Sequence, residues 1–250
     1  MREITTSGIV LGYKPKNEYD RLVNLFTDSF GKIFGTAKFA QKPTSPFVGR
    51  LDTSNICKFH LYKSAQGKFT IKQCVMVKTF ENIKENVALF SIASAILEIA
   101  DKLTYQHSGM KKYFLLIYKT LATIDKNIKP YLIYLIFKIK FLHLLGLIPS
   151  FKHCMACHKK ISLNDIIVWG PENVICANCL ENRKAAFAGA VFDKDMLKFI
   201  NFIANNDYIK SVKIKISNDE IKFLEAFLDE IWRNHNLAEI NSEKIIKQFI

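Results

Sequence analysis

Four cysteines in two closely spaced pairs are the residues of this sequence best suited to chemistry. Cys154 and Cys157 form one C-x-x-C pair, and Cys176 and Cys179 form another after 18 intervening residues. Each pair offers two sulfurs from one tight turn, and the chain between them is long enough for a hairpin that brings the pairs together. Zinc binds soft thiolates in a tetrahedron, and four protein ligands leave no position for water or substrate. The spacing therefore predicts one structural Zn²⁺ ion.

Two alternatives to a zinc site remain open from the spacing alone: four unrelated buried cysteines, or two disulfides. His153 and His158 flank the first pair and could replace a cysteine, although the simpler interpretation leaves both on the surface. The remaining cysteines, Cys57 and Cys74, lie in predicted strands and are expected in the core. Cysteines at metal-ligand spacing, in a chain whose start has no apolar signal segment, favour a reducing cytoplasm.

The positive charge is concentrated near the amino terminus. The 250 residues carry a net charge of +13. Residues 1–80 hold 13 Lys/Arg against 5 Asp/Glu, whereas residues 150–250 hold 14 against 13. Compositional drift toward lysine could raise the total but does not explain this asymmetry. A field of this kind attracts a polyanion, which makes nucleic acid the favoured partner.

The first eighty residues have the pattern of a small β-barrel. Short apolar runs at 8–13, 22–27 and 32–40 are followed by an alternating segment at 56–63 and a β-branched run at 69–77. Five short strands without helical periodicity predict a five-stranded barrel, and the OB-fold, which binds single-stranded nucleic acid on one face, is the natural candidate.

The stretch 41–50 reads as a loop that could contact DNA, since it contains two prolines and a glycine. Basic residues interleaved with aromatics are what a single-strand groove needs, because cations follow the phosphates and rings stack on bases. Tyr13, Tyr19, Phe34 and Phe47 belong to this set, although any single aromatic could instead pack the core and any single lysine could be solvated. The predicted DNA-binding residues are Lys14, Arg21, Lys32, Lys38, Phe39, Lys42 and Arg50.

The rest of the chain has mainly helical periodicity. Helices are predicted at 84–105 (ended by His107-Ser108-Gly109), 111–125, 130–145, 193–205 and 218–232, with a hairpin at Val168-Trp169-Gly170-Pro171 between the cysteine pairs. The expected architecture is α+β and multidomain: a barrel over 1–80, a helical domain over 81–149 continued at 186–250, and a zinc module inserted at 150–185. The run 131–148 contains Lys138, Lys140 and His143, so a buried helix is favoured over a membrane span.

Catalytic motifs are missing from the sequence. It has no Walker-type phosphate loop, no G-x-S-x-G, no H-E-x-x-H and no His-x-Glu of the kind that zinc deaminases need. The sequence therefore favours a protein that binds rather than catalyses.

Four stretches, taken together, resemble the RecO family of bacterial recombination mediators. They are Gly8-Ile9-Val10-Leu11 followed by 18–27, Gly31-Lys32-Ile33 running on to Ala37-Lys38, Leu144-Leu145-Gly146-Leu147-Ile148-Pro149, and the two cysteine pairs. The resemblance implies an OB-fold, a helical bundle and a zinc module. It also implies a role without a reaction: binding single- and double-stranded DNA, annealing complementary strands, and loading recombinase onto strands coated by single-strand-binding protein. The implied partners are RecR and the acidic, apolar-ended tail of single-strand-binding protein, at the bacterial nucleoid in the cytoplasm.

The sequence departs from this family just after Ala37-Lys38. The family usually has a glycine there, followed by an arginine-rich run, whereas this chain has Phe39-Ala40-Gln41-Lys42 and then only Arg50. Arginine offers bidentate phosphate contacts that lysine does not, so DNA affinity is expected either to be weaker or to depend more on other lysines. A zinc-ribbon adaptor that binds an acidic protein is the alternative function.

Overall fold

The computed structural model describes residues 2–105, 110–148, 153–154, 156–161, 167–169, 174–182, 190–192, 194–213 and 215–249. The first five strands are β1 (Arg2–Pro15), β2 (Arg21–Thr27), β3 (Gly31–Ala37), β4 (Ile56–Lys63) and β5 (Phe69–Lys78). Four helices follow, α1 (Glu81–Glu85), α2 (Val87–Leu103), α3 (Lys111–Ile124) and α4 (Pro130–Leu144). The remaining elements are β6 (Ile167–Trp169), β7 (Val174–Cys176), α5 (Ala177–Asn182), β8 (Ala190–Phe192), α6 (Lys194–Asn205), α7 (Tyr208–Val212), α8 (Asn218–Asn234) and α9 (Asn241–Ile246).

The first five strands close into a barrel in the order β1-β2-β3-β5-β4. The β3–β5 contact is parallel and the other pairings are antiparallel. The predicted fold class, an OB-like barrel followed by helices, is confirmed. Gly35 permits the closure of β3 on β5, because a Cβ atom there would lie 2.9 Å from the Ile71 side chain. The alternation predicted for β4 is also confirmed, with Cys57, Phe59 and Leu61 buried and Lys58 exposed.

Phe47 packs in the barrel core and does not face a DNA groove. Its side chain is 5% exposed and lies in the same buried cluster as Leu51, Ala40 and Cys74. The loop 38–54 is a chain of tight turns, with backbone bonds such as Ser45 N–H to the Lys42 carbonyl and Arg50 N–H to that of Phe47. Of the two interpretations left open for Phe47, packing in the core is therefore the one that the structure supports, because the turns direct this ring inward, where it covers the core.

The helical segment predicted at 84–105 is two helices. Asn86 separates α1 from α2, and its side-chain oxygen accepts hydrogen bonds from the N–H groups of Ala88 and Leu89. This is the N-cap arrangement that begins a new helix. The predicted end of this helical segment, His107-Ser108-Gly109, lies outside the described residues. The Gly170-Pro171 part of the predicted hairpin does so as well. Ser217 forms a capping box with Glu220 at the start of α8.

Helix α4 is buried along most of its length, as its apolar sequence predicts. Leu132 to Leu142 are all buried, including two lysines. Lys140 donates hydrogen bonds of 2.6 Å to the carbonyl oxygens of Ile203 and Asn206, at the end of α6. The Lys138 ammonium lies 4.5 Å from the ring centre of Trp232. Each buried cation therefore has an electron-rich neighbour that offsets its lost hydration.

The chain divides into two compact units, one formed by 1–134 with 239–250 and the other by 135–238. Within the first unit, Asn24 and Lys32 of the barrel both contact Asp101 of α2, through a 2.8 Å hydrogen bond and a 3.2 Å ion pair. None of the helices among the described residues combines the length and the apolar character that crossing a membrane requires.

The carboxylate of Glu98 attaches the carboxyl-terminal segment to α2 within the first unit. It accepts hydrogen bonds from the N–H groups of Asn241 and Ser242 and from the Ser242 hydroxyl, and it pairs with Lys102 at 2.7 Å. Burial alone would raise the pKa of Glu98, but Lys102 and these hydrogen bonds outweigh it and lower the pKa to about 2. The ionised carboxylate therefore stabilises the native state.

We expect Glu98→Gln to lower the free energy of unfolding by about 2 kcal/mol at neutral pH, because two N–H groups lose a charged acceptor. A folded-state pKa below its ordinary value of 4.5 means that the stabilisation is complete above that pH and disappears as the pH falls toward about 2. Urea unfolding of both proteins at pH 7 and pH 3 would measure this. Glu239→Gln is the matched control, because Glu239 pairs with Lys244 on the surface and is 71% exposed. Equal effects of the two changes, or a difference that does not shrink at pH 3, would contradict the assignment.

Candidate metal centre and nucleic-acid interface

A tight knuckle positions the first cysteine pair. The Cys154 N–H donates to the carbonyl of Lys159, and the His158 N–H donates back to the carbonyl of Cys154, at 2.9 and 2.8 Å. His153 and Lys160 form a β-bridge that closes the base of the turn. His158 adopts φ 57°, the left-handed conformation that reverses the chain here. These bonds direct both sulfurs of the pair to one side of the knuckle.

The second pair lies where a strand meets a helix. Cys176 is the last residue of β7, which pairs antiparallel with β6, and Cys179 lies in the first turn of α5. Strands β6 and β7, on either side of the predicted turn, pair antiparallel through residues such as Ile167 and Cys176, and the turn itself lies outside the described residues. The strand end and the helix turn together present the second two sulfurs.

The four Sγ atoms lie within 4.8 Å of one another, and no other comparable group of ligand-bearing side chains occurs among the residues described. The Cys157 and Cys176 sulfurs are 3.8 Å apart. Sulfurs at the corners of a tetrahedron about a zinc ion, with Zn–S bonds of about 2.3 Å, would be about 3.8 Å apart. A disulfide needs an S–S distance of about 2.05 Å, and all four cysteines are free thiols. The arrangement can bind a metal ion.

The environment of Cys154 favours a thiolate. Burial would raise the pKa of this thiol, but the backbone N–H groups of Cys176, Cys157 and Ala156 point at its sulfur and lower the pKa to about 6. The Cys176 nitrogen lies 3.4 Å from the Cys154 Sγ atom. The neighbouring thiol of Cys157 instead raises the pKa of Cys179, to about 12. Four thiolates this close repel one another, and a divalent cation between them would relieve that repulsion. Both flanking histidines are exposed and stand outside the sulfur cluster.

The second candidate site is formed by two turns that lie side by side at one end of the barrel. The β1–β2 turn spans 16–20, and the turn that leaves β3 spans 38–42. Gln41 joins them, since its N–H donates to the carbonyl of Tyr19 and its side-chain amide donates to those of Asn17 and Asp20. We call these two turns the corner. Its exposed basic residues are Lys16, Lys38 and Lys42.

Cations and aromatic rings are paired at and beside the corner. The Lys42 ammonium lies 5.1 Å from the ring centre of Tyr19 and 4.8 Å from that of Phe39. On the adjoining strands, the Arg21 guanidinium lies 4.2 Å from the ring centre of Tyr13. Interleaved cations and rings on one surface are typical of proteins that bind single-stranded nucleic acids.

The remaining predicted DNA-binding residues lie away from these pairs. Lys14 is exposed, but it pairs with Leu22 and so lies on the opposite face of the β1–β2 hairpin from Tyr13. Lys32 lies five residues from Ala37 along β3, about 17 Å, and its side chain is engaged with Asp101. The Arg50 guanidinium donates to the carbonyl of Cys74 at 2.9 Å. Of the predicted set, Lys38, Phe39 and Lys42 therefore lie on the corner, and Arg21 lies on the adjoining strand opposite Ala37.

Two features of the corner were missed by sequence reasoning. Lys16 lies in the first of the two turns, and its ammonium donates to the Thr36 hydroxyl at 2.8 Å, on the strand face that also carries Lys14. Asp20 organises the turn from within: the Phe39 N–H donates to its carboxylate at 2.9 Å. That hydrogen bond, together with Asn17, Lys16 and Lys38, lowers the pKa of Asp20. The Asn-x-x-Asp spacing of an Asx turn was the available sequence signal.

Comparison with known proteins gives matches over nearly the whole chain. The family model described as Recombination protein O N terminal matches residues 1–80, and Recombination protein O C terminal matches residues 85–244. "DNA repair protein RecO" of Thermoanaerobacter sp. strain X514 is 26% identical over 247 residues, covering 98% of each chain. The protein of that name from Caldanaerobacter subterraneus subsp. tengcongensis is 28% identical over 244 residues, covering 97% of each chain. That from Listeria monocytogenes serotype 4a is 24% identical over 245 residues, covering 96% of this chain and 92% of the relative. The chain therefore belongs to the RecO family.

Proposed function

We propose that this protein is a DNA-binding recombination mediator that acts in DNA repair and homologous recombination without catalysing a reaction. The observation that carries the proposal is the corner, where the Lys42 ammonium lies beside the exposed rings of Tyr19 and Phe39 and where Lys16 and Lys38 are also exposed. The chain's net charge of +13 would attract DNA to it. Its relatives' name, DNA repair protein, supports the same role.

The mediator would anneal complementary single strands and help load recombinase onto single strands coated by single-strand-binding protein. Annealing needs a protein that gathers two polyanions without fixing their sequence, and contacts to phosphates and base faces are independent of sequence. Both single- and double-stranded DNA are proposed as ligands, and RecR as a protein partner. We propose that the protein works at the bacterial nucleoid in the cytoplasm.

Helix α3 offers a surface suited to the acidic, apolar-ended tail of single-strand-binding protein. Leu115 and Tyr118, one turn apart, are 41% and 36% exposed. The exposed lysines Lys111, Lys112 and Lys119 flank them. Lysines beside an apolar surface could receive the carboxylates and the apolar end of such a tail. The same surface also supports the second candidate function, a zinc-ribbon adaptor whose main role is protein contact.

We propose that the four cysteines bind one Zn²⁺ ion with a structural role. The sulfur spacing and the N–H groups that point at Cys154 support this. We also propose that the chain has four functional parts. These are the DNA-binding barrel over 1–80, a helical part over 81–149, the zinc module over 150–185 and a second helical part over 186–250.

The proposal is tested by following the annealing of two complementary fluorescent oligonucleotides, one of them coated beforehand with single-strand-binding protein. We expect the protein to accelerate annealing, and we expect the acceleration to fade as salt rises, since counterions are released from every phosphate that is contacted. Absence of both DNA binding and annealing at low salt would reject the proposed mediator function. Salt-insensitive capture of single-strand-binding protein, without DNA binding, would favour the adaptor.

A further inference from the structure

Two aromatic rings are exposed together at the corner. The rings of Tyr19 and Phe39 have centres 6.5 Å apart and planes tilted by 48°. Tyr19 is 44% exposed and Phe39 is 55% exposed. Burial of these rings therefore does little for the barrel, whose core residues, such as Leu25 and Phe59, are fully buried.

The backbone holds Phe39 outward in a conformation that a bulky residue rarely adopts. Its φ is 56°, in the left-handed region that favours glycine. The Phe39 N–H donates to the Asp20 carboxylate, and the Asp20 N–H donates in turn to the Asn17 side chain at 2.7 Å. Strained residues of this kind persist when the surrounding structure fixes them, and they occur preferentially at functional sites.

The cation of this cluster is placed for a phosphate beside the rings. Lys42 is exposed, and its ammonium lies about equally far from both ring centres, at 5.1 and 4.8 Å. A base that stacked on the rings would bring its own phosphate to their edge, and the long lysine side chain can turn from the rings to that phosphate. Lys38, also exposed, directly precedes Phe39 and adds a second cation.

We propose that Tyr19 and Phe39 form a stacking platform for unpaired bases, which makes the barrel prefer single-stranded to duplex DNA. This inference rests on the proposed function, because it gives the DNA-binding corner a preferred form of DNA. Bases in a duplex are stacked on one another and would have to be pulled out before a protein ring could cover them. Bases of a single strand present their faces freely, and stacking on them is tolerant of sequence.

The test compares two oligonucleotides that carry the same phosphates, an oligo-dT and an abasic strand of equal length, by fluorescence anisotropy at fixed salt. We expect the protein to bind oligo-dT at least about tenfold more tightly, as two stacking rings would give. We expect Phe39→Gly to lose most of this preference while binding of the abasic strand is unchanged. Glycine fits φ 56°, so thermal stability should be kept or raised.

Two further variants separate ring stacking from simple apolar contact and from backbone strain. Phe39→Leu keeps an apolar side chain at the strained position but has no ring, and it should lose the preference as Phe39→Gly does. Phe39→Trp should keep the preference and gain an indole whose fluorescence is quenched by oligo-dT.

The outcomes distinguish this inference from the function on which it rests. Salt-dependent binding with equal affinity for oligo-dT and the abasic strand would overturn the platform and leave the DNA-binding function standing. Full retention of the preference in Phe39→Gly would also overturn it. Failure to bind either strand at low salt would reject the proposed function itself.

Discussion

Cys154→Ser is expected to abolish stoichiometric zinc binding and to unfold the module around the four cysteines. Cys154 is completely buried, and its sulfur accepts the Cys176 N–H that joins the two pairs. A serine hydroxyl is a poor zinc ligand, and the three remaining sulfurs would leave an open position. Metal binding in small thiolate modules supplies about 10–16 kcal/mol, which is most of their folding free energy. The described strands near the cysteines, β6 and β7, have only three residues each. Their hydrogen bonds cannot supply the folding free energy that metal binding provides.

The zinc content of purified protein and limited proteolysis would measure this effect. We expect one zinc per chain in the unchanged protein, little in Cys154→Ser, and new cleavage between residues 153 and 182. Chelation of the unchanged protein should give the same cleavage pattern. Cys74→Ala is the matched control, because it removes a buried thiol from the barrel core and should leave the zinc content at one. Metal-free protein that resists protease as well as the untreated protein does would contradict a structural zinc.

The cysteine cluster could be predicted from sequence because its geometry is largely local. A C-x-x-C pair places two sulfurs on one turn whatever surrounds it, so only the meeting of the two pairs was a long-range inference. The alternation of β4 is local in the same sense: Cys57, Phe59 and Leu61 face one side because successive residues of a strand point in opposite directions.

Features that depend on distant partners could not be predicted. Phe47 lies among prolines and reads as a loop residue, yet the tight turns of 38–54 direct its ring into the core. The buried Lys140 is stabilised by carbonyl groups more than sixty residues away, at Ile203 and Asn206. Lys32 forms an ion pair with Asp101 on a helix almost seventy residues away, and its predicted DNA contact stays a prediction. In each case the deciding contact is tertiary, and the sequence around the residue does not reveal it.

Position 39 lies between these two cases. A phenylalanine where the family usually has glycine marked a departure, and sequence alone suggested that DNA affinity would be weaker or would depend more on other lysines. The structure shows that the position has φ 56°, which explains why glycine is suited to it. It also shows that the side chain added here is half exposed and lies beside Tyr19 and Lys42.

Replacing Lys16, Lys38 and Lys42 together by glutamine is expected to lower the affinity for single-stranded DNA by about 100-fold at 0.1 M salt. In the counterion-release description, each phosphate contact contributes about 0.7 to the salt slope for a single strand, so three lost contacts reduce that slope by about 2. Glutamine removes each charge while keeping most of the side-chain length. Arg50 is left unchanged because its guanidinium donates to the barrel backbone. Replacing it would lower the stability of the barrel as well as remove a predicted phosphate contact, and the two effects on affinity would not be separable.

Titrations of a labelled oligonucleotide at several salt concentrations give both the affinity and the slope. The matched control replaces Lys210, Lys213 and Lys215, which are exposed on the second compact unit, and changes the net charge by the same amount. A general effect of net charge would weaken DNA binding equally in both variants. Direct phosphate contacts at the corner would weaken DNA binding only in the corner variant and would lower only its salt slope. An unchanged slope in the corner variant would place the DNA site elsewhere. Phe39→Gly should behave differently from the lysine variant, because loss of a stacking ring lowers affinity without altering the salt slope.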